Sequence, residues 1–235
     1  MPNIKSELLH PQLGTIIITR KPRARGIILR VRGGIINATL PLRCSIELLQ
    51  QLIEKNIDKL KKQIAATAKG VINWEYCISA PNFSLCLKKS CKNSIRITGK
   101  EGKYIIQCPE KIDFNKETIQ QQLRERIKAA IKHRAKEILP QRLALLSSQK
   151  QVPYNSVSVR DSHTRWGSCS SSGTISLSIY LVLLPQHLID YVLMHELCHT
   201  IEMNHSARFW AQLDRLCGTS SKQLRNELRA YRTDF

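Results

Sequence analysis

A chain of 235 residues, 42% of them hydrophobic and 23% charged, can bury one sizeable core or two smaller ones. It has no run of about 18 apolar residues to span a membrane. The stretch Met1-Pro2-Asn3-Ile4-Lys5 lacks the apolar segment of a secretory signal, so no membrane partner and a cytoplasmic location are expected. The formal net charge of +19 is unevenly spread. Of 37 basic and 18 acidic residues, residues 151–235 hold eight and seven, which leaves a net of +18 on the first 150. A field of that sign attracts nucleic acid, nucleotides or acidic proteins, or simply solvates the surface.

In chain order, residues 15–19 and 27–31 are rich in β-branched side chains, Gly33-Gly34 signals a turn, and residues 35–40 resume the strand pattern. Ser45 is positioned to cap a helix in which Leu48, Leu49, Leu52, Ile53, Ile57 and Leu60 recur at helical spacing. Short apolar runs at 84–87, 95–98 and 104–108 predict further strands. A long amphipathic helix is expected from Asn115 or Lys116 through Ile119, Leu123, Ile127, Ile131 and Ala135, with Pro140 ending or kinking it. After Pro153, residues 156–160 and 174–181 read as strands flanking a loop that holds Arg165-Trp166-Gly167-Ser168-Cys169. Leu184 and Pro185 open a helix to about Glu202 that is apolar almost all round, and hence buried. Ser206 caps a short helix through Leu216, and a polar helix comes next, from about 220 to 231. No internal repeat is evident.

This pattern predicts an α+β fold. A basic, β-rich region with one helix covers 1–112, and a helical linker with a core covers 113–235. The eight cysteines include no Cys-x-x-Cys pair, and without a secretion signal reduced thiols are expected rather than a disulfide framework. Cys86 and Cys91 have no partner pair to complete a second metal site, and Cys198 faces away from its neighbouring histidines, as a packing residue would.

The chemistry is concentrated in His195-Glu196-Leu197-Cys198-His199, with His205 six residues on. Histidines four apart on a helix project from one face and can reach a single ion. A third imidazole from His205 makes three protein ligands with one position open, the pattern of catalytic zinc. His205 tests the geometry: a continuous helix would point it well off the site, so the helix must break first, with Asn204 as a left-handed turn residue. The alternative for His205 is a residue ahead of the Ser206 cap. Glu196 is the candidate general base toward a metal-activated water, because a charge in an apolar helix needs such a partner. Arg165 is the candidate electrophile for the developing oxyanion, against a structural ion pair or stacking on Trp166. His163 and Tyr191 are weaker donors. Asp190 or Asp214 could orient a ligand imidazole through its second nitrogen.

Taken together, Arg165-Trp166-Gly167-Ser168-Cys169-Ser170, Gly173-Thr174-Ile175-Ser176-Leu177, Pro185, Asp190-Tyr191-Val192, the His195 to His199 motif, Asn204-His205-Ser206 and Phe209-Trp210 resemble the YgjP-like metal-dependent hydrolase family, related to the SprT-like and WLM zinc peptidases. The specific match spans about 153–217. The resemblance implies a zincin-type metallopeptidase core in the C-terminal part, with His195, His199 and His205 on the metal, Glu196 as catalytic glutamate, and the Arg165–Ser170 loop near the active site. The chain departs from the family at Ser178, where Asn is usual, and the cysteine-bearing stretch 74–92 matches no known pattern.

The leading expectation is therefore a zinc-dependent hydrolase with one Zn2+, most simply a metallopeptidase acting on peptide or protein. Metal-dependent hydrolysis of a nucleotide phosphoanhydride is the alternative, weakened by the lack of a phosphate-cradling glycine loop. Nucleic-acid binding through the basic N-terminal region, with an associated metal site, is a third reading.

Overall fold

Residues 4–32, 34–67 and 70–231 are described in a computed structural model. Gly33 and the first three residues, which entered the sequence reading, lie outside the described residues. Two compact units meet in sequence between Gly70 and Val71.

Alternation of buried and more exposed positions along its strands builds the first unit. Strands β1 (Ile4–His10), β2 (Gly14–Lys21), β3 (Ile28–Arg32) and β4 (Ile35–Pro41) form a sheet in the order β1-β2-β4-β3, with β2 and β4 parallel and both outer pairs antiparallel. One face buries Ile16, Ile18, Ile36, Ala38 and Leu40, and Leu49, Ile53 and Leu60 from helices α1 (Ile46–Lys55) and α2 (Ile57–Thr67) complete that cluster. The Ser45 hydroxyl accepts the Leu48 amide at 3.3 Å, the cap expected. The single helix expected here breaks at Asn56, whose side-chain amide donates to the Leu52 carbonyl at 2.8 Å. Strand β1 was not anticipated, because its sequence does not alternate and Leu9 is 80% exposed.

The second unit begins with the same plan. Strands β5 (Cys77–Ala80), β6 (Phe83–Ser90), β7 (Arg96–Lys100) and β8 (Lys103–Pro109) are ordered β5-β6-β8-β7, again with a parallel central pair between antiparallel outer ones. Tyr104, Ile106 and Cys108 are buried in β8 at the positions that Ile36, Ala38 and Leu40 hold in β4. Gly34 and Gly102 supply positive φ (79° and 82°) in the turns before these strands. Pro41 and Pro109 end them, and each carbonyl accepts an amide three residues on, from Cys44 and Ile112, at 3.2 Å. The chain thus carries a structural repeat where none was expected. What recurs is a pattern of alternation and turns, filled with different side chains.

This second sheet shares its core with the long helix α3 (Glu117–Lys150). The expected boundary near residue 112 differs from the observed division, because Phe83, Leu85, Tyr104 and Ile106 join one apolar cluster with Leu123, Ile127 and Ile131 of that helix. Segment 113–150 is therefore core rather than linker. Helix α3 also runs through Pro140, so of the expected end or kink the end does not occur. An interior proline costs about 3 kcal/mol, but Leu139, Leu143 and Leu146 around and beyond it are buried in the same cluster, each stabilising by roughly 1.5–3 kcal/mol.

Strands β9 (Ser156–Arg160), β10 (Gly167–Cys169) and β11 (Thr174–Ser178) form a third sheet, ordered β10-β11-β9, with β9 and β11 parallel and β10 an antiparallel edge. The strand expected to run to residue 181 ends at Ser178, and residues 179–183 wind into a 3-10 turn. Helices α4 (Gln186–Cys198), α5 (Ala207–Cys217) and α6 (Ser221–Leu228) complete an α+β fold. Among the described residues no helix is long and apolar enough to cross a membrane.

Candidate metal centre

The last turn of α4 brings His195 and His199 onto one side, one helical turn apart. The helix ends at Cys198, with His199 as its C-terminal cap, and the Thr200, Ile201 and Glu202 amides turn back onto the Leu197 and Cys198 carbonyls at 2.9–3.0 Å. The break required for His205 is present, but it falls five residues earlier than Asn204. Glu101 and Gln151 are the non-glycine residues with positive φ among the described residues, so Asn204 is not left-handed. A tight turn from the Asn204 carbonyl to the Ser206 amide (2.7 Å) then swings His205 back. Ser206 caps α5, accepting the Phe209 amide at 3.3 Å.

His205 Nε2 lies 3.1 Å from His195 Nε2, and one ligand atom from each of His195, His199 and His205 falls within 4.8 Å of the others. The edge of a tetrahedron with Zn–N of 2.0–2.1 Å is about 3.3–3.4 Å, close to the His195–His205 separation. The ring of buried Phe209 backs all three imidazoles at centroid distances of 4.6–4.9 Å. His199 Nδ1 faces the Glu202 carbonyl at 3.3 Å, which leaves Nε2 for the cluster. His195 Nδ1 and Glu196 Oε2 are buried with no hydrogen-bond partner. The orphaned carboxylate oxygen is costly in a finished core, and it fits a site completed by a cation and its ligands.

Burial and the neighbouring imidazoles push His195 down to about 3, so it is neutral, the form that donates to a metal. His199 is lowered as well, again chiefly by burial. Burial pushes Glu196 up to about 8, against the opposing pull of the Arg165 cation. Arg165 is thus within electrostatic reach of the glutamate, as expected of its loop. That loop is anchored at both ends. The Ser178 amide donates to the Trp166 carbonyl, and its hydroxyl donates to the Ser162 carbonyl, both at 2.8 Å. Serine at this position keeps its hydrogen bonds. Asp161 accepts from Tyr180 at 2.9 Å and pairs with Lys128.

Gly167 in β10 packs directly on the glutamate. A Cβ built there would sit 2.5 Å from Glu196 Oε1 and 2.7 Å from its Cγ, so only glycine leaves room for the carboxylate. Gly167→Ala is expected to displace Glu196 and destabilise the protein by about 1–3 kcal/mol, read from denaturant unfolding. A variant as stable as the wild type would show that the carboxylate moves aside freely.

Other expectations are corrected. Asp190 does not orient an imidazole; Arg142 grips it with two bonds of 2.6 and 2.7 Å. Asp214 instead accepts the Ser221 amide at 2.7 Å and starts α6. His163 bonds the Tyr180 hydroxyl at 2.8 Å. Tyr191 is buried edge-on to His195, 6.1 Å between centroids, with its hydroxyl pushed up to about 12 by that burial. Sequence reasoning assigned no role to Gly167, Phe209, Trp210 or Arg225. Trp210 stacks on His205 at 5.6 Å, and Arg225 lies over Trp210 at 5.2 Å. The signals for these were the Arg165–Ser170 loop, which contains Gly167, and the Phe209-Trp210 pair in the family pattern.

Three clustered imidazoles and an adjacent buried carboxylate within an α+β frame define a metal-dependent hydrolase. Residues 25–231 match the family described as YgjP-like, metallopeptidase domain, and the chain belongs to the YgjP-like metallopeptidase family. No curated protein matches the sequence. Among solved structures, the chain is similar to the crystal structure of the metallopeptidase zymogen of Pyrococcus abyssi abylysin. Identity is 20%, coverage is 40% of this chain and 93% of that chain, and the TM-score is 0.36.

Proposed function

We propose that this metal-dependent peptidase holds one zinc ion on His195, His199 and His205 and uses Glu196 as the general base for hydrolysis of a peptide bond. The observation that carries the proposal is the convergence of three imidazole nitrogens beside a buried, unpartnered carboxylate oxygen. A divalent ion bound there supplies Lewis acidity, which acidifies water and polarises a scissile carbonyl. Every remaining step belongs to the chain. Glu196 takes the proton of the attacking water on a carboxylate oxygen and returns it to the leaving amine nitrogen. In the metal-free chain burial raises its pKa, while the Arg165 cation pulls toward the ionised form that a general base needs. Arg165 also offers guanidinium donors to the oxyanion that develops on the carbonyl oxygen. Gly167 fixes where the carboxylate lies.

The family assignment favours peptide bonds over the phosphoanhydride and nucleic-acid readings. A cytoplasmic setting remains part of the proposal, on the reduced-thiol argument. The test is peptide hydrolysis before and after chelation. Activity is expected to vanish with metal removal and return with stoichiometric Zn2+. Cleavage that survives complete chelation would exclude the proposed centre, and pyrophosphate release from nucleotides without peptide cleavage would replace the substrate class.

A further inference from the structure

One side of the imidazole cluster is walled by groups the proposed chemistry does not use. His195, His205, Trp210 and Arg225 line an open cleft of about 470 Å³. The Trp210 ring stacks on His205 with 30° between planes and lies 6.2 Å from His195, so the indole forms a flat wall that starts at the reacting centre. The Arg225 guanidinium covers that wall at 5.2 Å. Among the described residues the Arg225 side chain has neither an acidic partner nor a hydrogen bond beside this stacking contact, although guanidinium carries five N–H donors in a planar fork suited to carboxylate.

The helix that carries the arginine is held in place. Arg225 lies in the last turn of α6. That helix is tied to α5 by the Ser221 amide on Asp214, and to α4 by His187 with Glu227 at 2.7 Å. Leu224 and Leu228 pack against the core. Stacking on an aromatic face leaves the edge of a guanidinium, where its donors lie, open to a ligand. A fixed cation with unused donors, on an aromatic wall beside the cluster, is the arrangement that selects an anion.

We propose that Trp210 and Arg225 form a substrate subsite that selects peptides with a carboxylate close to the bond cleaved. This inference rests on the metallopeptidase reading. The carboxylate belongs either to an acidic side chain or to the peptide's own C-terminus, and the Trp210 face takes the apolar part of the same residue.

Matched peptides with Glu, Gln or Lys beside the scissile bond, each with a free or amidated C-terminus, test it on the zinc-loaded full-length protein. Wild type is expected to favour the carboxylate-bearing peptide about 10- to 100-fold in kcat/KM, the range of one charge-assisted hydrogen-bonded contact. In Arg225→Gln that ratio should collapse toward one, Arg225→Lys should keep its sign, and Arg225→Glu should favour the Lys peptide. Loss of preference on amidation assigns the C-terminus, and loss on Glu-to-Gln replacement assigns the side chain. Fluorescence anisotropy of the same labelled peptides on Glu196→Gln protein, with and without Arg225→Gln, gives a readout independent of turnover. A Glu-to-Gln and free-to-amidated preference that is unchanged in folded Arg225→Gln protein overturns the subsite. Chelator-sensitive cleavage of neutral peptides without any carboxylate preference overturns the subsite alone. Absence of all cleavage counts against the peptidase reading, and anisotropy then decides the subsite.

Discussion

Glu196→Gln is expected to lower kcat by about 10²- to 10⁴-fold, the usual contribution of a positioned acid–base group, while metal content stays at one ion per chain. The amide keeps the carboxylate's shape beside Gly167 but cannot accept a proton from water. The same substitution carries a second signature that does not depend on turnover. In the metal-free protein Glu196 is pushed up to about 8 from an ordinary 4.5. Between those values the folded state holds a proton that the unfolded state has released. Stability is therefore fully present below about pH 4.5 and is lost as pH rises through about 8, at about 1.4 kcal/mol per pH unit. The variant lacks this titration. Its stability relative to wild type should climb across that window by roughly 5 kcal/mol and then level off. Denaturant unfolding of both metal-free proteins from pH 5 to 9 measures it. Parallel profiles would show that Glu196 ionises freely, contrary to its burial.

Metal loading should produce the other large effect. A ligand that binds only the folded state, at a thousand times its Kd, stabilises by about 4 kcal/mol. For a protein of this size that corresponds to a rise in Tm of roughly 10 °C. The proton dependence of the affinity is diagnostic. Three free imidazoles below pH 6.5 would each exchange a proton for the metal, costing about three decades of affinity per pH unit. Here His195 is neutral down to about 3 and His199 is also lowered, because burial disfavours both cations. Zinc affinity between pH 6.5 and 5 should therefore fall by clearly fewer than three decades per unit. Calorimetric titration at several pH values tests this, and a full three-decade slope would show that the imidazoles titrate as if exposed.

Much of this was legible before any coordinates, where the relevant physics is local. β-Branched and short apolar runs placed β2, β3, β4, β6, β7 and β8, hydroxyl chemistry placed the caps at Ser45 and Ser206, and four-residue spacing put His195 and His199 on one face. The need for a break before His205 came from helical geometry alone. Its position did not. Where α4 ends depends on how the 199–206 turn packs over Phe209, a contact between segments rather than a property of either.

The remaining misreadings have the same origin. Pro140 penalises a helix by an amount that can be estimated from sequence, but the offsetting burial of Leu139, Leu143 and Leu146 comes from strands and helices distant along the chain. Asp190 and Asp214 carry the right chemistry to orient an imidazole, yet Arg142 and the Ser221 amide claim them. Gly167 opposite Glu196, and Arg225 over Trp210, are meetings of residues 29 and 15 positions apart. By itself the sequence determined the class of chemistry, because histidine spacing on a helix is set by the 3.6-residue turn. Only the tertiary structure decided what surrounds that chemistry, because burial, hydrogen-bond partners and nearby charge arise from packing between elements.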